Sequence, residues 1–110
     1  MKIALVQMDV VHGQPVENKK HVIAMLERAL DDNPDVIVLP EMWNTGYALN
    51  ELDGLADKDG LDSQELLSHF ARKHAVAIIG GSVAIEKDGK FYNTTYVYNK
   101  SGDLINTYSK

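Results

Sequence analysis

Two short apolar runs, one within Lys2 to Met8 and one at Val36-Ile37-Val38-Leu39, enclose a single amphipathic stretch, and this order narrows the available folds more than any other feature. Each run has the length and character of a buried strand and is too short for a helix. Between them, Val22, Ile23, Leu26, Ala29 and Leu30 fall three and four apart, while Glu17, Lys19, Lys20, Glu27 and Arg28 take the other side. That pattern predicts a helix from Val16 to Leu30 packed along one face. Pro15 suits its first position, where the fixed φ is pre-set and the missing N–H costs nothing. Asp31, Asp32, Asn33 and Pro34 end it. Strand, helix and strand over about thirty residues make a βαβ unit, which forces parallel strands and a right-handed crossover. A central sheet, covered by helices, is expected.

Residues Glu41 to Gly60 show no periodicity, and a loop of this length is more often functional than a short connection. Asp62 and Glu65 resemble a capping pair for a second helix carrying Leu66, Leu67, Phe70 and Ala71, which should stop near Lys73 or His74. Ala75 to Ile79 reads as a third buried strand, bent at Gly80-Gly81 and continued extended through Ser82 to Glu86. Lys87-Asp88-Gly89-Lys90 is a hairpin turn and Phe91 to Tyr98 its returning strand. A second turn, Asn99-Lys100-Ser101-Gly102, leads into Asp103 to Tyr108. The predicted order is βαβαββββ. The final strand has no following helix to cover its edge, so the sheet reads as cut and the chain as a fragment.

A chain of 110 residues allows one domain at most, with a modest core. No repeat or Pro/Ser-rich linker divides it. The net charge of −5, with 11 basic residues scattered among 16 acids, argues against a nucleic-acid partner. The apolar runs fall far short of the ~20 residues of a membrane-spanning helix. The opening Met-Lys-Ile-Ala-Leu-Val-Gln-Met-Asp cannot hold a signal-peptide core, which points to the cytoplasm. There is no cysteine, hence no disulfide, thiolate metal site or thiol nucleophile within the chain.

Glu41 follows Val36 to Pro40, so its carboxylate emerges at the carboxyl end of a parallel strand, where open α/β sheets gather ligands. Burial beside apolar walls, for which Trp43 and Tyr47 are candidates, would raise its pKa toward neutrality and suit it to proton transfer. A cap or a surface ion pair accounts for the same position equally well. Trp43 and Tyr47 are also candidates to line a substrate pocket, although a large ring in a loop is as often a core plug or subunit contact. Lys110 by position alone is an ordinary solvated terminal lysine.

The segment Pro34 to Tyr47, Pro-Asp-Val-Ile-Val-Leu-Pro-Glu-Met-Trp-Asn-Thr-Gly-Tyr, resembles the glutamate motif of the nitrilase superfamily of carbon-nitrogen hydrolases. Ile3 to Met8 is similar to that family's first strand. Gly80-Gly81-Ser82, Phe91-Tyr92-Asn93-Thr94 and Gly102-Asp103-Leu104-Ile105 follow in the family's order, and Tyr108-Ser109-Lys110 matches the start of its lysine motif. The resemblance covers residues 1–110 as the N-terminal part of one such domain. It implies half of an α-β-β-α sandwich with a mixed, partly parallel sheet, and a dimer in the full-length protein.

For activity, the resemblance implies an amidase acting on small non-peptide amides, closest to members that act on the ω-amides of small dicarboxylic acids. Glu41 would be its general base and Lys110 the stabiliser of negative charge. A cationic Lys beside the carboxylate would hold Glu41 ionised and oppose the effect of burial, so its pKa is not assigned from the sequence. The family's nucleophilic cysteine comes later than these motifs, so the isolated chain is expected to be inactive. A noncatalytic α/β binding or assembly module that kept the scaffold is the alternative.

Gly80-Gly81 does not open a phosphate-binding helix, and the implied chemistry calls for no cofactor. His12, His21, His69 and His74 lack metal-ligand spacing, and no metal site is expected. Asn93-Thr94-Thr95 fits a glycosylation pattern but reads more simply as strand residues.

Overall fold

The computed structural model describes residues 1–110 as two α-helices and seven strands in one mixed sheet. Strand β1 (Ile3–Leu5) pairs in parallel with β2 (Val36–Val38), and helix α1 (Pro15–Ala29) connects them, with Pro15 in its first turn. A short 3-10 turn at Leu30–Asp32 follows, and Asn33 stops it in the left-handed region at φ 50°. The βαβ unit is therefore as expected, with shorter strands than the apolar runs suggested.

Helix α2 (Leu61–His74) ends where its pattern ends, with Ala75 left-handed at φ 52°. Its start differs from expectation. Asp62 and Glu65 form no capping pair; instead the Asp57 carboxylate accepts from the backbone N–H of Asp62 at 3.2 Å and of Ser63 at 2.7 Å. Asp57 can do so because a two-residue strand, β3 (Asp57–Lys58), holds it beside the helix. An acidic side chain on the free N–H groups of a first turn satisfies donors that the helix itself cannot.

Strand β4 (Ala77–Ile79) adds to β2 in parallel, and the sheet then turns antiparallel. Long strand β6 (Lys90–Tyr98) takes β4 and β5 (Val83–Lys87) on one edge and β7 (Leu104–Ser109) on the other, while β3 joins β5 in parallel. β4 and β5 are thus two halves of one strand bent at Gly80-Gly81. Between the pairs Ile79–Val97 and Val83–Thr94, Gly80, Gly81 and Ser82 face Thr95 and Tyr96, so the bent side carries one residue more, as in a bulge. The β5–β6 hairpin closes through Asp88 (φ 53°) and Gly89 (φ 76°), both left-handed, a geometry that matches the strand twist.

One core joins the elements. Val22 and Leu26 from α1 and Leu67, Phe70 and Ala71 from α2 pack with Val6, Ile37, Ile78, Val83, Tyr96 and Tyr98 from the sheet. Because both helices share this core, they cover only one sheet face. The expectation of a sheet covered by helices therefore holds on one side alone. On the other side Ile3 and Leu5 are exposed at 54% and 73% and Ile79 at 41%, since strand side chains alternate between faces. One helix layer on one mixed sheet is half of an α-β-β-α sandwich. No helix is long and apolar enough to cross a membrane.

Candidate active site

Glu41 stands just past β2, and the backbone around it is clamped to the bend between β4 and β5. Leu39 N–H donates to the Ile79 carbonyl at 3.0 Å, and Ser82 N–H donates to the Pro40 carbonyl at 3.2 Å. Beyond Glu41, Met42 N–H donates to Ser82 Oγ at 2.9 Å and Trp43 N–H to the Ser82 carbonyl at 3.1 Å. Met42 is left-handed at φ 51°, a conformation costly for a side chain of its kind, and it turns the chain sharply away from the strand. The bend comes this close because residue 81 is glycine, at φ 61°; a Cβ there would collide with the Pro40 carbonyl oxygen.

Buried amides fix the loop that follows. Asn44 donates to the Ala84 carbonyl and accepts from Ala84 N–H, both at 2.9 Å. Asn18 of α1 donates to the carbonyls of Val11 and Asn44, each at 2.8 Å, and accepts from Val11 N–H at 2.7 Å. Ala84 pairs across the sheet with Asn93, and Asn93 accepts from Lys110 N–H at 2.9 Å. The row Asn44, Ala84, Asn93, Lys110 thus ties the loop after Glu41 to the end of β7.

This row brings the two ends of the chain's candidate chemistry together. Lys110 Nζ lies 3.5 Å from Glu41 Oε1, and Asn93 Nδ2 donates to the same oxygen at 3.0 Å. The Glu41 side chain is half-exposed, contrary to the expected burial. Its pKa is lowered. The Asn93 hydrogen bond is the largest cause, followed by the Lys110 charge; desolvation opposes them, and hydrogen bonds from Lys110 and Tyr47 lower it further. A donor and a cation beside a carboxylate both favour its charged form.

Of the expected pocket-lining residues, Tyr47 is exposed and within reach of Glu41. Trp43 takes the other of its two readings, the core plug. Its ring is 2% exposed, sits in the core, and donates from Nε1 to the Gly80 carbonyl at 3.0 Å. It is a plug beneath the bend because a buried indole N–H needs an acceptor and the bend supplies one. The larger surface clefts lie elsewhere, among α2, the β5–β6 hairpin and the β6–β7 turn. No group of three or more His, Asp or Glu side chains converges as a metal site would require.

Sequence reasoning passed over Asn18, and it placed Asn44, Ser82 and Asn93 within the recurring motifs without giving them a role. For Asn18 a signal existed: it stands four residues before Val22 and eight before Leu26, a polar residue on the buried stripe of α1. For the others, the polar partner is set by tertiary contacts that no spacing reveals.

The family model of the carbon-nitrogen hydrolases matches residues 2–110. The chain belongs to that family. Among the relatives of this chain, the 2-oxoglutaramate amidase of Bacillus subtilis is 44% identical, over 98% of this chain and 41% of that protein. The omega-amidase NIT3 of Saccharomyces cerevisiae is 30% identical, over 100% of this chain and 40% of that protein. The crystal structure of Saccharomyces cerevisiae Nit3, a member of branch 10 of the nitrilase superfamily, superposes with a TM-score of 0.86 at 27% identity, over 100% of this chain and 44% of that one. The resemblance to the amidase branch of the nitrilase superfamily thus holds, and the chain spans about two fifths of the length of the curated relatives it matches.

Proposed function

We propose that the protein carrying this chain hydrolyses small, linear, non-peptide amides, foremost the ω-amides of small dicarboxylic acids, with Glu41 as general base and Lys110 as the stabiliser of developing negative charge. The nucleophile in this reading is a cysteine outside residues 1–110, since these contain none. The observation that carries the reading is the meeting of Lys110 Nζ and Glu41 Oε1 at 3.5 Å, at the carboxyl end of β2, by two residues from opposite parts of the chain. The amidase relatives support the substrate class.

The chemistry follows from the residue types. Glu41 takes the thiol proton, and the thiolate adds to the amide carbon to give a tetrahedral oxyanion. The Lys110 ammonium faces that oxyanion, and a fixed cation acts strongly where water is excluded. Protonated Glu41 then gives its proton to the departing nitrogen, so ammonia leaves and a thioester remains. Glu41 next takes a proton from water, whose oxygen attacks the thioester; the carboxylic acid is released and the thiol is restored. Neither redox change nor cofactor enters. The lowered pKa keeps Glu41 ionised, the form that must accept the first proton, and loss of water around an occupied site strengthens it as a base.

Ammonia release by the full-length protein tests this reading. Turnover of 2-oxoglutaramate and similar ω-amides, with none from peptide bonds, is expected; no release from any small amide would overturn it. The isolated 110-residue chain should release none. Clear turnover by a pure sample of it would contradict the proposed nucleophile.

A further inference from the structure

Asn93 stands on β6 directly across from Ala84, on the sheet face that no helix covers, and its side chain reaches Glu41. Two features set its contact apart from an incidental surface bond. The amide can take only one orientation: turned over, its oxygen would face the carboxylate, and two acceptors repel. In the orientation that serves Glu41, Asn93 Oδ1 is buried without any hydrogen-bond partner. An orphaned buried acceptor is a cost to the fold, and such costs persist where another role retains the residue.

The backbone of Asn93 is committed as well. Its carbonyl accepts the Lys110 N–H at 2.9 Å, so one residue sets the approach of both charged groups. Glu41 Oε1 receives Asn93 Nδ2 at 3.0 Å and lies nearest Lys110 Nζ at 3.5 Å. We propose that Asn93 is the positioning residue of the site: it ties Oε1 of Glu41 on the sheet side and leaves Oε2 as the oxygen that takes and returns protons. The proposal rests on the reading of Glu41 as general base. Glu41 is half-exposed and its other partners, Lys110 and Tyr47, are themselves exposed side chains, and a base that wanders by an ångström loses much of its advantage.

Removing the donor should act on Glu41 in a definite direction. The hydrogen bond stabilises the carboxylate, so its loss raises the pKa of Glu41 and moves the acid limb of kcat/KM to higher pH. In the full-length protein, Asn93→Ala is expected to lower kcat tenfold or more with KM little changed. The Glu41 carboxyl, followed by carbon NMR and assigned by its loss in Glu41→Gln, should titrate at higher pH by the same shift as the acid limb. Asn93→Asp keeps the shape while replacing the donor with a like charge, and should shift both further; it serves if Asn93→Ala does not fold.

An equal loss of rate at every pH, with the Glu41 titration unmoved, would mean a merely structural role and overturn the proposal. A Glu41 titration that moves with kcat unchanged would overturn it too. Full activity of Glu41→Gln would instead remove the general-base reading itself, whereas an inactive Glu41→Gln beside a fully active Asn93→Ala would sink the Asn93 proposal alone.

Discussion

At the scale of single residues, the pair Glu41 and Lys110 is chemically informative because it has little structural use. The Lys110 and Glu41 side chains are 60% and 47% exposed, and an exposed ion pair contributes little to stability. Replacing Lys110 by Met in the full-length protein is therefore expected to leave thermal unfolding nearly unchanged while lowering kcat by about 10²–10³-fold, the range for loss of one oxyanion stabiliser. The same change removes a charge that lowers the Glu41 pKa, so the acid limb of the pH–rate profile should move to higher pH. A variant with wild-type kcat would take Lys110 out of the reaction. The position of Glu41 at a strand's end was legible in the run of apolar residues before it. The fate of Trp43 was not, because the same loop residue serves as pocket wall or core plug according to where the Gly80 carbonyl lies.

Among the elements, the bend between β4 and β5 is what mounts Glu41. Ser82 binds the backbone on both sides of the glutamate, and Gly81 lets the two segments touch. Gly81→Ala must place a Cβ against the Pro40 carbonyl oxygen and hold a left-handed φ; it should cost more than ~2 kcal/mol, which urea unfolding would measure. A cost near zero would mean that the bend relaxes freely and does not fix the site. The two hairpins and both helices were legible, since period and turn chemistry agree within each. β3 was not: two polar residues, Asp57 and Lys58, carry no hydrophobic period and become a strand only by pairing with Ile85 and Glu86. The cap on α2 was misread for the same reason, as its acceptor comes from that strand.

For the whole molecule, the helices and core lie on one side of the sheet and the candidate site opens on the other. Ile3, Leu5 and Ile79 are exposed on that open side, the face that a sandwich would pack. This accounts for which of the two opposed effects on Glu41, burial or a neighbouring cation, prevails. Burial was inferred from apolar neighbours, yet within these residues one wall of the site is in place, and a carboxylate at an open face keeps its water. The measurement that bears most directly on the central claim is the rate of ammonia release by the full-length protein with Glu41→Gln, which keeps the size of the side chain and removes its basicity. A fall of about 10²–10⁴-fold with unchanged thermal unfolding is expected for loss of a general base; a rate equal to the wild type would contradict the assignment of Glu41 and the mechanism built on it.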